Sequence, residues 1–298
     1  MRIAFLTPEY PSELSGGGGL SNYIYRMGQL LAESGHEPEI FVLSQHASET
    51  MIFDGVLIHR VNCRKNHPFL HFLYRESAEL IRFRSWRLSL GWTLQAMALA
   101  AALERRHAIA PFRFVQSADY CAAGLFVRRR RDRIHAVRCS SAADLYSETD
   151  GTVSVAQLCR GYLERLSMRR ADLAYAPSQN LAEHFDRVHN MNIQVVRPPR
   201  YRELKHFSLP PFPLPRRFFL HFGQLMERKG TALLARALPI AWKMAPDLTM
   251  VWCGRCWDPS KLESWRSLWG DRARQVHITG PLAKPQMYAV LQLADAAV

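Results

Sequence analysis

Residues 2–43 read RIAFLTPEYPSELSGGGGLSNYIYRMGQLLAESGHEPEIFVL, and the reading of this stretch decides the fold. Arg2 to Leu6 is a short apolar run of the kind a buried parallel strand needs on both faces. A turn region with Pro8 and Pro11 follows, then Gly16, Gly17, Gly18 and Gly19. From Leu20 the period changes. Leu20, Ile24, Met27 and Leu31, with Leu30 beside them, fall on one helical face. Ser34, Gly35 and His36 end that helix, with Gly35 as its left-handed cap, and Glu39 to Leu43 is the next strand. Four glycines before a helix let backbone approach a ligand closely, and free first-turn amides hold an anion. A phosphate-bearing substrate is the expectation; a plain surface loop is the alternative. The glycines follow the strand too late for the dinucleotide fingerprint, and no Lys-Ser/Thr pair makes them a P-loop.

The chain has 298 residues, enough for one large domain or two ordinary ones, and 48% hydrophobic content supports sizeable cores. A net charge of +13 suits acidic partners such as nucleotides, anionic lipid or nucleic acid. Cys63, Cys121, Cys139, Cys159, Cys253 and Cys256 are scattered rather than arranged as a disulfide framework. With no signal peptide before the strand at Arg2, a reducing cytoplasmic compartment is expected. Cys253-Gly-Arg-Cys256 has metal or redox spacing but no second ligand pair, so the expectation is ordinary thiols and no metal. Trp92 to Leu103, the longest apolar stretch, is too short to span a bilayer and suits a buried helix.

Further along, Met51 to Val61 reads as a small strand pair. Pro68 to Leu90 mixes Phe69, Phe72, Phe83 and Trp86 with Arg75, Arg82, Arg84 and Arg87. That composition makes it a candidate for peripheral contact with an anionic membrane, or else a helix packed on its own domain. Phe112 to Ser117 reads as a strand ending in a polar loop with Asp119 and Tyr120, placed as a ligand crevice. A helix is expected from Ala122 to Arg130, with Arg128 to Arg131 and Arg133 as its solvated end; without aromatic interleaving, no nucleic acid is expected there. Ile134 to Cys139 is a strand leading to Ser140, Ser141, Asp144, Tyr146, Ser147 and Glu148. Asp144 and Glu148 are either a carboxylate pair for acid–base work or the first turn of a loop helix. Helices over Ser154 to Arg170 and Gln179 to Val188, capped by Ser178, flank a strand within Ala171 to Pro177, and Asn192 to Val196 is another strand.

The first domain is thus expected over 1–200, and 201–216, rich in proline, as the linker. A second α/β unit occupies 217–298: strands at Phe218–Phe222, Leu248–Cys253, Gln275–Thr279 and Ala296–Val298, with helices at Gly230–Met244, Pro259–Leu268 and Lys284–Leu293. The chain stops as the fourth strand begins, so this domain is expected to be incomplete.

Several pieces together resemble one family. The opening stretch is similar to the N-terminal domain of the family 4 glycosyltransferases, of GT-B architecture. ADLAYAPSQNLAEHF, FFLHFGQLMERKG and VHITGPLAKPQMYAVLQLADAAV resemble, in the family's order, the end of its first domain, its G-R-x-x-x-x-K-G loop and its F-x-G…Y-x-x-A-D segment. The resemblance implies two Rossmann-like α/β domains facing across a cleft, the second incomplete here. It implies transfer of a sugar from a nucleotide-diphosphate sugar to a glycan or lipid-linked acceptor, as in polysaccharide assembly, with retention and without a bound metal or cofactor. It places Gly18 and Gly19 beside the diphosphate and sugar, and Lys229 as the cation that neutralises the leaving diphosphate. Gln224 stands where the family often has arginine, with Arg228 as a substitute; Ser140 stands near the family's histidine. The glutamate-containing donor region would begin beyond Val298, so an inactive chain, or a remnant that binds only acceptor or membrane, is the alternative expectation. A sugar-nucleotide epimerase shares the architecture, but these motifs are more similar to the transferases.

Overall fold

The computed structural model describes residues 1–13, 18–63, 84–145, 154–199, 207–256 and 258–298. Gly16 and Gly17, the aromatic-basic segment up to Phe83, and Tyr146, Ser147 and Glu148 lie outside the described residues. The chain divides into two compact units, Met1–Tyr201 and Arg202–Val298.

In the first unit, β1 (Arg2–Thr7), α1 (Gly19–Glu33) and β2 (Glu37–Leu43) form the opening crossover. A hairpin, β3 (Thr50–Phe53) and β4 (Val56–Val61), turns through Asp54 and Gly55, both at positive φ, as a tight hairpin turn requires. The unit continues through α2 (Arg84–Ile109), β5 (Phe114–Ala118), β6 (Ile134–Arg138), α3 (Val155–Arg170), β7 (Leu173–Ala176), α4 (Gln179–His189) and β8 (Gln194–Val195). The eight strands are ordered β3-β4-β2-β1-β5-β6-β7-β8, all parallel to their neighbours except β3. The order reverses between β1 and β5, which opens a crevice at their carboxyl ends. Ile3, Phe5, Leu6, Ile24, Ile40, Val42 and Leu99 are buried in one core cluster, as the apolar runs and the helical stripe require.

Glu39 is the buried charged residue of β2, 3% exposed. It accepts from His59 Nε2 at 2.7 Å and from Arg106 at 2.8 and 3.1 Å, and pairs with Arg2. Burial raises its pKa, but the hydrogen bonds from His59 and Arg106 and the charges of Arg2 and Arg106 outweigh this and bring it down to about 2. A folded-state pKa below the unfolded one contributes stability above about pH 4.5, lost as pH falls towards 2. Glu39→Gln is therefore expected to cost roughly 3 kcal/mol at pH 7 and under about 1 kcal/mol at pH 2.5, by urea titration at both. An equal cost at both would show that the charge is not what stabilises.

The stretch expected as a helix from Ala122 to Arg130 is not one. A 3-10 turn at Tyr120–Ala122 leads into further three-residue turns: Leu125 N donates to Ala122 O and Val127 N to Gly124 O. Cys121 and Ala122 hold φ of 58° and 52°. A Cβ at Gly124 would lie 2.1 Å from Ser117 Oγ and 2.7 Å from His135 Nε2, so the chain passes too close to the sheet for a helix with side chains. The arginine run therefore ends no helix, although Arg128 to Arg131 are exposed as expected. Arg129 donates to the carbonyls of Arg170 and Ala171 at the end of α3, and Arg133, 3% exposed, pairs with Glu104.

The second unit holds β9 (Phe219–Phe222), α5 (Thr231–Met244), β10 (Met250–Cys253), α6 (Pro259–Trp269), β11 (Val276–Gly280), α7 (Lys284–Leu293) and β12 (Ala296–Ala297). Its parallel sheet runs β11-β10-β9-β12, so the order reverses between β9 and β12. Three tryptophans centre its core: Trp252 meets Trp265 and Trp269 edge-on, centroids 5.7 and 5.2 Å apart. Pro239 inside α5 cannot donate to Ala235 O, and the indole of Trp269 fills that vacancy at 3.0 Å. Within the proline-rich stretch, Ser208 N donates to Pro285 O and Leu214 packs on the core of this unit. No helix among the described residues is long and apolar enough to cross a membrane.

Candidate functional site

Each unit offers a site at the carboxyl edge of its sheet, where the strand order reverses. In the first unit the loop after β1 turns back so that Glu9 Oε1 accepts from the Ser21 amide in the first turn of α1, at 3.1 Å. The anion at this helix start is thus the protein's own carboxylate, in a place the dipole favours. Gly18 is the N-cap. A Cβ there would come 3.2 Å from Glu9 Oε1, whereas one at Gly19 would meet nothing within 4 Å.

Across the crevice, Asp119 follows β5. It is 1% exposed and accepts from the amides of Tyr120 (2.8 Å), Ser140 (2.9 Å) and Ser141 (3.4 Å), tying the ends of β5 and β6 together. Glu164 of α3 accepts from the Cys121 amide at 3.2 Å and pairs with Arg160 at 3.4 Å. Burial raises the pKa of both carboxyls. Three amides and the Arg138 charge hold Asp119 back, while the Asp119 charge raises Glu164 further. A proton held by this pair near neutrality therefore resides on Glu164. Arg138 stacks on Tyr23 at 3.7 Å and donates to Ser140 Oγ at 2.8 Å. Tyr120 keeps 37% of its surface exposed, with the Arg160 guanidinium 5.6 Å from its ring centre. Asp119 and Tyr120 stand where the sequence places them. Arg138 and Glu164 were missed. The signal for Glu164 was its helical spacing from buried Gly161, Ser167 and Met168, which puts a glutamate on the inner face. Asp144 lies in a short helical turn over residues 143–145, the second of the two sequence readings, and its Oδ2 accepts from two histidines of α4; its expected partner Glu148 lies outside the described residues.

In the second unit the Gly223–Gly230 loop follows β9 at the switch point. Gly223, Gly254 and Gly280 stand at or just beyond the ends of β9, β10 and β11, all at positive φ. Gly223 N donates to Cys253 O, Gly254 N to Gly280 O and Leu225 N to Arg255 O, so the loops lie almost backbone on backbone. A Cβ at Gly254 would fall 1.5 Å from Gly223 O. His221 Nδ1 faces Val298 O at 3.2 Å, which fixes its proton there, and its Nε2 then accepts from Thr231 Oγ1 at 2.9 Å. Thr231 in turn accepts from the Met226 amide, so β9, the loop and the start of α5 are locked together. Lys229 ends the 3-10 turn Glu227–Lys229 and immediately precedes Gly230, the N-cap of α5. It is exposed, with no ion-pair or hydrogen-bond partner among the described residues. No side chain caps α5. A cation at the positive end of a helix is unfavourable until an anion joins it. Gln224 is half-buried in the same loop, and the Arg228 guanidinium is exposed with Met226 Sδ 3.5 Å away.

The fold is shared with known proteins. Solved structures with the same fold include a sucrose-phosphate synthase from Thermosynechococcus elongatus (TM-score 0.69, 15% identity, 99% of this chain and 74% of that one). They also include the catalytic domain of starch synthase IV from Arabidopsis thaliana bound to ADP and acarbose (TM-score 0.59, 11% identity, 99% and 77%). A third is Os79 from O. sativa in complex with UDP (TM-score 0.56, 13% identity, 99% and 76%). No curated protein sequence matches the chain. The chain thus has the GT-B fold. The model of the glycosyl transferase 4-like domain matches residues 18–200, and the chain belongs to that family.

Proposed function

We propose that the chain takes a nucleotide-diphosphate sugar as donor and transfers its sugar, with retention, to a hydroxyl of a glycan or lipid-linked acceptor. One observation carries the donor reading: Lys229, whose side chain has no ion-pair partner among the described residues, stands before the start of α5, which no side chain caps, at the switch point of the second sheet. Breaking the bond between sugar and phosphate builds charge on the diphosphate, and a fixed cation with helix amides stabilises that charge without a metal. The close loops at Gly223 and Gly254 leave backbone, not side chains, at this edge. Arg228 and Gln224 border the same loop and complete the donor contacts in this reading. Solved relatives of the same fold hold ADP and UDP, which supports a nucleotide ligand here.

The first unit is the acceptor side in this reading. Its crevice offers a partly exposed carboxylate at Glu9 and an exposed ring at Tyr120, which suit sugar hydroxyls and sugar faces better than a second phosphate. Gly18 leaves room beside Glu9 for such an acceptor or for the donor sugar. The aromatic-basic sequence of residues 68–90 is proposed to hold a lipid-linked acceptor near an anionic membrane.

Calorimetry of the purified chain with UDP, GDP and ADP tests the donor reading. Saturable one-to-one binding of one nucleotide is expected, far weaker for the matching nucleoside because the diphosphate provides the charge. A folded chain that binds none of the three would refute it.

A further inference from the structure

Besides the groups described above, three side chains converge that the transfer reaction does not use. Asp144 sits just after β6; His184 lies on α4, and His189 is its last residue. Asp144 Oδ2 is 2.9 Å from His184 Nε2 and 3.0 Å from His189 Nε2, and the three ligand atoms all lie within 4.8 Å of one another. The imidazoles are largely buried, at 5% and 13% side-chain exposure, while Asp144 is 31% exposed. The cluster is therefore buried on the helix side and open beside the carboxylate. The second oxygen, Asp144 Oδ1, is buried and has no hydrogen-bond partner among the described residues. A buried carboxylate oxygen left so is unfavourable, and a metal ion or its bound water satisfies it.

We propose that Asp144, His184 and His189 form a zinc site that fastens the segment after β6 to α4. Two imidazoles and one carboxylate are a regular zinc donor set, with one coordination position left for water. Tetrahedral coordination at the usual bond lengths puts ligand atoms about 3.3–3.4 Å apart. The two nitrogen–oxygen distances need open by only a few tenths of an ångström from their present 2.9 and 3.0 Å. On binding, each neutral imidazole carries its proton on Nδ1 and presents a bare Nε2 to the ion. Two N–H···O bonds are exchanged for two nitrogen–zinc bonds and one oxygen–zinc bond, and nothing is oxidised or reduced. Both histidines come from α4 and the carboxylate from a helical turn over residues 143–145. The ion would therefore tie that turn, which leads on from Ser140 and the Asp119 amide contacts, to α4.

Arg165 is the charge that opposes the ion. It stands on the preceding helix α3, close enough for its positive charge to act on His189. His184 faces the same carboxylate as His189. Removing the Arg165 charge should therefore tighten zinc binding, a response that a histidine–aspartate hydrogen-bond cluster with no metal affinity could not give.

The test uses the full, untagged chain, titrated with Zn²⁺ by calorimetry and with Co²⁺ by visible absorption, which reports tetrahedral coordination directly. One tight equivalent is expected, with d–d bands in the Co²⁺ form. His189→Ala and Asp144→Asn should each weaken binding at least about 100-fold. Arg165→Gln should strengthen it several-fold, and circular dichroism should confirm that each variant is folded. Absence of saturable binding by the parent chain would overturn the proposal, as would one equivalent that survives the His184→Ala/His189→Ala double variant. Tetrahedral bands that are unchanged in that double variant would assign the metal to other histidines or cysteines and overturn it equally.

Discussion

Gly254→Ala is expected to destabilise the second unit by about 3–5 kcal/mol, the largest structural effect of a single methyl group in this protein. The new Cβ would lie 1.5 Å from Gly223 O and 2.7 Å from its carbonyl carbon. Those are backbone atoms, so no rotamer change relieves the contact. Separating the loops breaks the bonds from Gly223 N to Cys253 O and from Gly254 N to Gly280 O, each 2.9–3.0 Å. Two backbone bonds at roughly 1 kcal/mol each, added to residual overlap and the cost of a side chain at positive φ, give the stated range. Small domains are stable by only about 5–15 kcal/mol, so such a change leaves a sizeable unfolded fraction. Tryptophan fluorescence in urea reads this unit well, because Trp242, Trp252, Trp257, Trp265 and Trp269 belong to it and only Trp86 and Trp92 do not. Gly19→Ala is the control, since nothing lies within 4 Å of its Cβ position. A Gly254→Ala midpoint equal to that of the parent would show that the two loops separate freely.

Lys229→Met is expected to leave stability unchanged and to remove most of the transfer rate. The side chain is exposed and has no partner among the described residues, so its loss breaks nothing in the fold. Its proposed work comes only when charge develops on the leaving diphosphate. Removal of a comparable charge-stabilising donor costs about 10²–10³-fold in rate. The expected signature is that fall in kcat/KM with the urea midpoint preserved, accompanied by weaker binding of the diphosphate nucleotide in calorimetry. Arg228→Met should do less, because its guanidinium already has Met226 Sδ beside it. Equal nucleotide affinity and equal turnover in Lys229→Met would remove the lysine from the site.

The sequence by itself determined the alternation of strand and helix, because burial on both faces and a 3.6-residue stripe leave different marks in the chain. Phe5, Ile40 and Val251 are buried in runs, while Leu20 and Ile24 recur at helical spacing, and the sheets follow from these. Gly35 at φ 77° and Ser178 as a cap were legible for the same reason: each is a local requirement with a local residue. The family was legible because its motifs keep their order along the chain. What the sequence could not carry was any choice made by distant residues. Ala122 to Arg130 has helical composition, yet contact of Gly124 with Ser117 and His135 from two strands holds it in turns. The glycine-marked start of α1 is satisfied by Glu9, a residue on the far side of the loop. Asp144 found its partners not four residues away but 40 and 45, on α4. The pKa of Glu164 is raised only because the fold buries its carboxyl within reach of the Asp119 charge. Helices and strands are encoded in periods a few residues long; the charge, tautomer and proton of a buried group depend on what the folded chain packs around it, and only the tertiary structure decided those.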